Sequence, residues 1–376
     1  MFHLVTCRIG AFSVCLRSEL AQVAEDFAAL YPNAPTKAAT DDQTIHIEVR
    51  RSGRSRLGRR LYRVYADGEE IGGWRPSSGV FPFVEWGINL RMIARRSEYL
   101  QLHAASMTRS GRGFIFAGES GCGKSTLAAI LMARGWGYLC DEFALIEPDT
   151  LRLQPFPKAL CIKAGSYRTI RHLGLPFGRR RDYIKQYKGR VGYIRPAPLG
   201  EAAPARFIIF PTYRQDARAC LRPISRARAV MDLYRCCFNK NVFPDAALPA
   251  LTKLVGQCDC YRLDGGDPGE TCRLLDSLVR QRADVMPVTS TSERASQRHS
   301  KQGRPAALRS RREVLRLGTK LAYVVPSVVF LSRQQAFAAT SIPSGLCSTL
   351  VQNGGLCETD TDCCTGVCNL GVCSGS

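Results

Sequence analysis

Paired metal-binding cysteines are missing from this sequence. None of the 17 cysteines forms a C-x-x-C arrangement; Cys236 and Cys237 are adjacent, and Cys258 and Cys260 stand one residue apart. Eleven of them are scattered through the first 272 residues, where the pattern reads as reduced thiols of a cytosolic domain rather than as zinc knuckles. A membrane-spanning run is missing as well. The apolar stretch LAYVVPSVVFL, residues 321–331, has eleven residues, well short of the roughly 20 that cross a bilayer as a helix. Aromatic residues are not interleaved with the basic run at 289–320, so nucleic acid is not read as a partner. The last segment, 341–376, has neither lysine nor arginine and carries Glu358, Asp360 and Asp362.

These absences make the overall charge of +21 a mosaic rather than one surface. Residues 289–320 alone hold nine Lys/Arg against Glu293 and Glu313. The length of 376 residues and a hydrophobic content of 45% suit a globular chain of one large or two modest domains.

The pattern of apolar residues divides the chain. Residues 1–98 read as a small α/β layer. FHLVTCRIGAFSVCLR and QTIHIEVRR alternate as strands, and SELAQVAEDFAALYP has helical spacing with Ser18 as N-cap. RLYRVYADGEEIGGW is a hairpin turning at Asp67-Gly68, and FVEWGINLRMIARRSE is a helix. From 99 to 285, YLQLHAASM is an apolar strand and GFIFAG a second. GYLCDEFALIEPD reads as one further strand, apolar except for Asp141 and Glu142 at its middle. ARFIIFPTYR is a buried strand, SRARAVMDLYRCCFN and GETCRLLDSLVRQR are helices, and GRRRDYIKQYKGR at 178–190 is a basic loop. Residues 286–309 are rich in Ser, Thr and Arg without apolar period and read as a disordered linker.

GFIFAG runs directly into GESGCGKST, residues 118–126, which completes G-x-x-x-x-G-K-[ST]. KSTLAAILMARGW then continues as a helix that Gly135 stops. Strand, glycine-rich loop, helix and strand in this order are the context that a phosphate-binding loop requires. Gly118, Gly121 and Gly123 let backbone N–H groups converge on an anion, with Glu119, Ser120 and Cys122 between them, and the helix adds its positive end. Lys124 is placed to reach the β- and γ-phosphates of ATP, Ser125 to hold Mg²⁺, and Thr126 completes the motif. A phosphotransferase also needs carboxylates for acceptor and metal, and Asp141 and Glu142 point to opposite faces of an extended chain. A solvent-facing acidic pair is the plainer alternative.

The span LHAASM…GFIFAGESGCGKSTLAAILMARGWGYLCDEFALIEP resembles HPr kinase and, more closely, the HPr-kinase-related family of the kinase A type. The likeness extends over about residues 1–285 through FVEWGINL, FIIFPTYR, SRARAVMDLYRCCFN and YRLD. It implies a fold like that of HPr kinase and phosphoenolpyruvate carboxykinase, ATP with Mg²⁺, and transfer to a serine of a protein or peptide. By motif it places His103 in the Leu-His strand as a catalytic residue, Asp141 as the acceptor-side base and Glu142, where HPr kinases carry Asp, on the metal side. A structural role for His103 stays open beside this. The basic segment Arg179, Arg180, Arg181, Lys185, Lys188 and Arg190 stands where the family engages substrate, and is equally readable as a solvated loop. Related kinases resemble tailoring enzymes of small precursor peptides, and HPr kinases assemble as homo-oligomers, both of which the likeness makes expectations here.

Residues 310–338 resemble a twin-arginine export signal: SRREVLRLG, then the apolar run, then AFA as a small-x-small cleavage site. Residues 339–376 carry Cys347, Cys357, Cys363, Cys364, Cys368 and Cys373 in the pattern C-x9-C-x5-C-C-x3-C-x4-C, which resembles cystine-knot mini-proteins. Six cysteines allow fifteen pairings, and none is selected. The expectation is a cytoplasmic kinase domain with an exported or membrane-contacting tail, whose Ser374 or Ser376 would be an acceptor in cis. A gene fusion without functional coupling is the alternative. An ATP-binding switch or chaperone of peptide maturation, and an export carrier, are the competing functions.

Overall fold

In a computed structural model of the chain, the described residues are 1–31, 44–179, 182–185, 189–214, 217–241, 247–281, 368–369 and 372–373. The chain divides into two units, Met1–Met286 and Pro287–Ser376. The linker at 286–309, the signal-like segment at 310–338, and Ser374 and Ser376 lie outside the described residues. In the second unit those residues show β19 (Cys368–Asn369) paired antiparallel with β20 (Val372–Cys373).

The first unit is a mixed α/β body. Its N-terminal layer is a six-stranded sheet in the order β1 (His3–Ile9), β2 (Phe12–Ser18), β3 (Thr44–Arg54), β4 (Arg60–Ala66) and β5 (Glu69–Glu70), with β6 (Arg75–Pro76) on β4. Strands β2 and β3 are parallel, joined through α1 (Ala21–Leu30), while the hairpin between β4 and β5 turns at Asp67 and Gly68, both at positive φ. Ser18 is the last residue of β2 rather than the N-cap of α1. Its hydroxyl is engaged with the Leu20 backbone, and Leu20 takes the cap position. Helix α2 (Ser77–Arg95) packs across β3 and β4, and its apolar face is Val80, Phe81, Val84, Ile88 and Met92.

The central sheet has nine strands. Strands β7 (Leu100–Leu102), β8 (Ala104–Arg109) and β9 (Arg112–Ala117) lead to α3 (Lys124–Ala133). They are followed by β10 (Gly137–Cys140), β11 (Ala144–Ile146) and β12 (Arg152–Gln154). Helix α3 ends as the sequence indicates: Gly135 is at φ +77°, and its N–H and that of Trp136 donate to Met132 and Leu131. Next come β13 (Leu160–Lys163), α4 (Tyr167–His172), β14 (Tyr183–Lys185) and β15 (Gly189–Ile194). The unit closes with β16 (Ala203–Tyr213), β17 (Cys220–Pro223), α5 (Arg226–Cys236), α6 (Ala247–Gln257), β18 (Asp259–Gly265) and α7 (Pro268–Gln281). Sheet order runs β10-β8-β9-β16-β12-β11-β7, with β18 on β16 and β17 on β18.

Strands β9, β16 and β18 are parallel, and β9 and β16 are buried on both faces along their apolar stretches, which is why GFIFA and FIIFP read as unbroken apolar runs. Phe114, Phe116, Phe207 and Ile209 point into one core, with Trp136 and α3. Ile115, Ala117, Ile208 and Phe210 point into the other, with α5 and α6. Strands β13, β15 and β14 form a third, three-stranded sheet, from which Tyr183 stacks on Phe81 of α2 and Tyr193 meets the same ring edge-on. The N-terminal layer and this small sheet therefore share one core.

That shared core holds a buried polar group. Lys158 and Glu85 form an ion pair at 2.9 Å, not aligned as a hydrogen bond at Oε2. The Tyr31 hydroxyl donates to Glu85 Oε1 at 2.7 Å and accepts from the Ala159 N–H at 2.7 Å. One charge pair thereby ties α1 and α2 to the segment just before β13. Among the described residues no helix is long and apolar enough to cross a membrane.

Candidate active site

Two strands read as continuous in the sequence are broken in the structure, and the breaks lie opposite each other. β7 pairs with β11, matching Leu102 with Ala144, whereas β8 pairs with β10, matching Ser106 with Cys140. Between these pairings the chains part at His103 on one side and at Asp141, Glu142 and Phe143 on the other. The Ser106 hydroxyl holds the opening by donating to the Phe143 carbonyl at 3.1 Å. The Leu-His strand and the acidic pair thus meet where the ladder splits, so both carboxylates leave the sheet instead of standing mid-strand.

The phosphate loop follows β9, at the carboxyl end of the parallel strands. Gly118, Gly121 and Gly123 have φ of 155°, 96° and 101°. A Cβ on Gly118 would meet Cys122 Sγ at 3.0 Å, and one on Gly123 would meet Tyr213 Cβ at 3.2 Å. The loop is anchored to β16 by the Tyr213 N–H, which donates to the Cys122 carbonyl at 3.2 Å. Lys124, buried, donates to the carbonyls of Gly118 at 2.7 Å and Glu119 at 2.9 Å. Ser120 and Glu119 are exposed, and the Thr126 hydroxyl bonds that of Ser166 at 2.7 Å.

Asp141 and Glu142 occupy different surroundings. Ser125 lies close enough to the Asp141 carboxylate to favour its charged form, and Asp141 Oδ1 is buried with no hydrogen-bond partner. Burial and then the neighbouring Glu142 charge push the Asp141 carboxyl up to about 7, against the pull of Ser125, Lys124 and Lys158. Glu142 lies between His103 and Lys185, with His103 Nε2 at 3.8 Å from Oε2 and Lys185 Nζ at 3.7 Å from Oε1. The His103 backbone N–H donates to Cys236 at 2.7 Å, fixing the break to the end of α5, and its ring lies 5.5 Å from that of Phe238.

Of the pair expected on the metal, Ser125 and Glu142, Ser125 acts on the neighbouring Asp141 carboxylate. The 178–190 segment is not one basic loop. Lys185 lies in β14 and Arg190 in β15, while Arg180, Arg181 and Lys188 fall outside the described residues. Arg179 and Arg190 are exposed and paired with Glu25 and Asp182. Lys185 points inward, 4.0 Å from Cys161 Sγ. Burial alone would lower its pKa, but the Cys161 sulfur and the Glu142 carboxylate outweigh this and hold it above the ordinary lysine range. Lys185 was readable only as one member of a charge run. Glu85 and Lys158 carried no signal at all, since their pairing spans the two layers.

Among the described residues no three His, Cys, Asp or Glu gather into a metal cage. The orphan Asp141 oxygen beside Ser125 nevertheless fits Mg²⁺, which keeps much of its water and takes one or two carboxylates together with phosphate oxygens.

No protein-family model matches the chain. The chain is 29% identical over 149 residues to an HPr kinase/phosphorylase of Aromatoleum aromaticum, a match covering 37% of this chain and 45% of that enzyme. It thus spans less than half the length of that curated relative. Against the solved structure of the Hpr(Ser) kinase/phosphatase from Coxiella burnetii, it aligns over 49% of its own length and 95% of the other. The identity there is 12% and the TM-score 0.24, too loose a likeness to define the fold. The chain is similar in sequence, over part of its length, to HPr kinases.

Proposed function

We propose that this chain is an ATP- and Mg²⁺-dependent kinase that phosphorylates a serine of a protein or small precursor peptide. The observation that carries the reading is the meeting of a complete phosphate-loop motif with a buried carboxylate beside its serine, Asp141 next to Ser125, and a second carboxylate one residue on. The partial similarity to an HPr kinase/phosphorylase supports the phosphotransferase class.

In this reading the N–H groups of residues 118–126 and Lys124 bind the phosphates. Lys124 exchanges the Gly118 and Glu119 carbonyls for phosphate oxygens. Ser125 and Asp141 would hold Mg²⁺, as a loop serine and a following carboxylate do in nucleotide-binding loops. When bound, the ion neutralises charge on the β- and γ-phosphates. Glu142 then faces the acceptor, with Lys185 paired to it and His103 beside it to relay or share the proton taken from the serine hydroxyl.

This exchanges the roles that motif similarity gives the pair. The older assignment keeps one observation in its favour, because an Asp141 carboxyl raised to about 7 suits a base at neutral pH. Two variants decide. If Asp141 is on the metal side, Asp141→Asn loses the Mg²⁺-dependent part of ATP affinity, whereas Glu142→Gln keeps ATP binding and loses transfer. The opposite pattern restores Asp141 as the base. ATP binding by the native chain with no transfer to any acceptor would leave an ATP-binding switch as the function. For the acceptor, mass spectrometry of the full chain after incubation with Mg²⁺ and ATP tests Ser374 and Ser376; phosphate found only on a separate peptide would exclude acceptance in cis.

A further inference from the structure

The small sheet β13-β15-β14 forms a second wall against the phosphate loop. Helix α3 packs against β13, and the Thr126–Ser166 hydroxyl bond pins the turn after β13 to the start of α3. Residues two apart on a strand share a face, so Cys161 and Lys163 of β13 point the same way. Cys161 meets Lys185 beside Glu142. Lys163, further along, carries its ammonium to the loop: a Cβ on Gly121 would lie 3.9 Å from Lys163 Nζ. Lys163 is exposed and takes part in none of the ion pairs found among the described residues.

We propose that Lys163 is a second phosphate-binding lysine, which closes the triphosphate between the small sheet and the loop from the side opposite Lys124. The inference rests on the reading of the loop as an ATP site. Lys124 reaches the loop from inside, through α3, and is buried. Lys163 reaches it from solvent, at Gly121, where the positive φ and the missing side chain leave the loop backbone open to an anion. A cation at this position stabilises negative charge that grows on the transferred group, the part played elsewhere by an arginine supplied from outside the loop.

The test is calorimetric titration of the full chain with ATP and, separately, with inorganic triphosphate, both with Mg²⁺. Losing one charge-assisted contact to phosphate corresponds to about ten-fold or more in affinity. Lys163→Met is expected to weaken both ligands by that factor with an unchanged melting temperature, and Lys163→Arg to bind nearly as the native chain. Native affinity for both ligands in Lys163→Met overturns the inference and leaves the ATP site standing. Failure of the native chain to bind either ligand overturns the ATP reading itself, and the inference with it.

Discussion

Removing Glu85 perturbs the joint between the N-terminal layer and the small sheet β13-β15-β14, and its effect follows from the contacts. Glu85 and Lys158 are 2% and 4% exposed. In Glu85→Ala the Lys158 ammonium stays in a buried site without its counter-charge, and the Tyr31 hydroxyl loses the acceptor it holds at 2.7 Å. Breaking one side of a buried pair costs about 3–5 kcal/mol, to which the orphaned hydroxyl adds about 1 kcal/mol. With a urea slope of ~3 kcal/mol/M for a unit of this size, the midpoint should fall by about 1–2 M. Removing both charges, as in Glu85→Leu with Lys158→Met, should recover most of this loss, because buried pairs are often replaceable by packed apolar groups. Urea unfolding followed by tryptophan fluorescence measures all three variants. A single-variant loss below about 1 kcal/mol, or a double variant as unstable as the single one, would refute the account of this core.

Other perturbations address the site directly. Gly123→Ala forces a side chain into φ 101° against Tyr213 at 3.2 Å; strain of about 1–2 kcal/mol should distort the loop and weaken ATP at least ten-fold by calorimetry. Lys185→Met should leave ATP affinity nearly unchanged and lower the transfer rate, because Glu142 loses the cation 3.7 Å away; Lys185→Arg should restore the rate in part. Asp141 makes the ligand-free protein pH-sensitive. Its carboxyl is held up near 7 from an ordinary 3.8, so the folded chain binds the extra proton, and stability is full below about pH 4 and falls as pH rises toward 7. The loss is at most ~4 kcal/mol, and Asp141→Asn should abolish it, which thermal melts at pH 5 and pH 8 would show.

Legibility in the sequence was uneven for physical reasons. The glycine-rich loop at 118–126 and the helix after it were readable because glycine spacing, apolar flanks and the Gly135 stop are all local. So were β9 and β16, whose burial on both faces leaves unbroken apolar runs. The breaks at His103 and at 141–143 were not readable, since LQLHAASM and GYLCDEFALI keep a strand-like composition across them; only the change of partner, from β8 with β10 to β7 with β11, creates the opening. Ser18 looked like an N-cap because its type and place suit one, yet the strand β2 claimed it. Lys185 and Lys163 were hidden for a related reason. Each is one lysine among many, and its neighbour, Glu142 or Gly121, lies about 40 residues away in sequence.

The central claim is phosphoryl transfer to serine. Native chain and Glu142→Gln would each be incubated with Mg²⁺, ATP labelled with ¹⁸O at the γ-phosphoryl group, and a heat-inactivated extract of the source cells, and phosphoserine mapped by mass spectrometry. The account predicts at least one labelled phosphoserine, in the extract or in the chain itself, formed by the native chain and absent with Glu142→Gln although that variant still binds ATP. No labelled phosphoserine from the native chain, although it binds ATP, would contradict it.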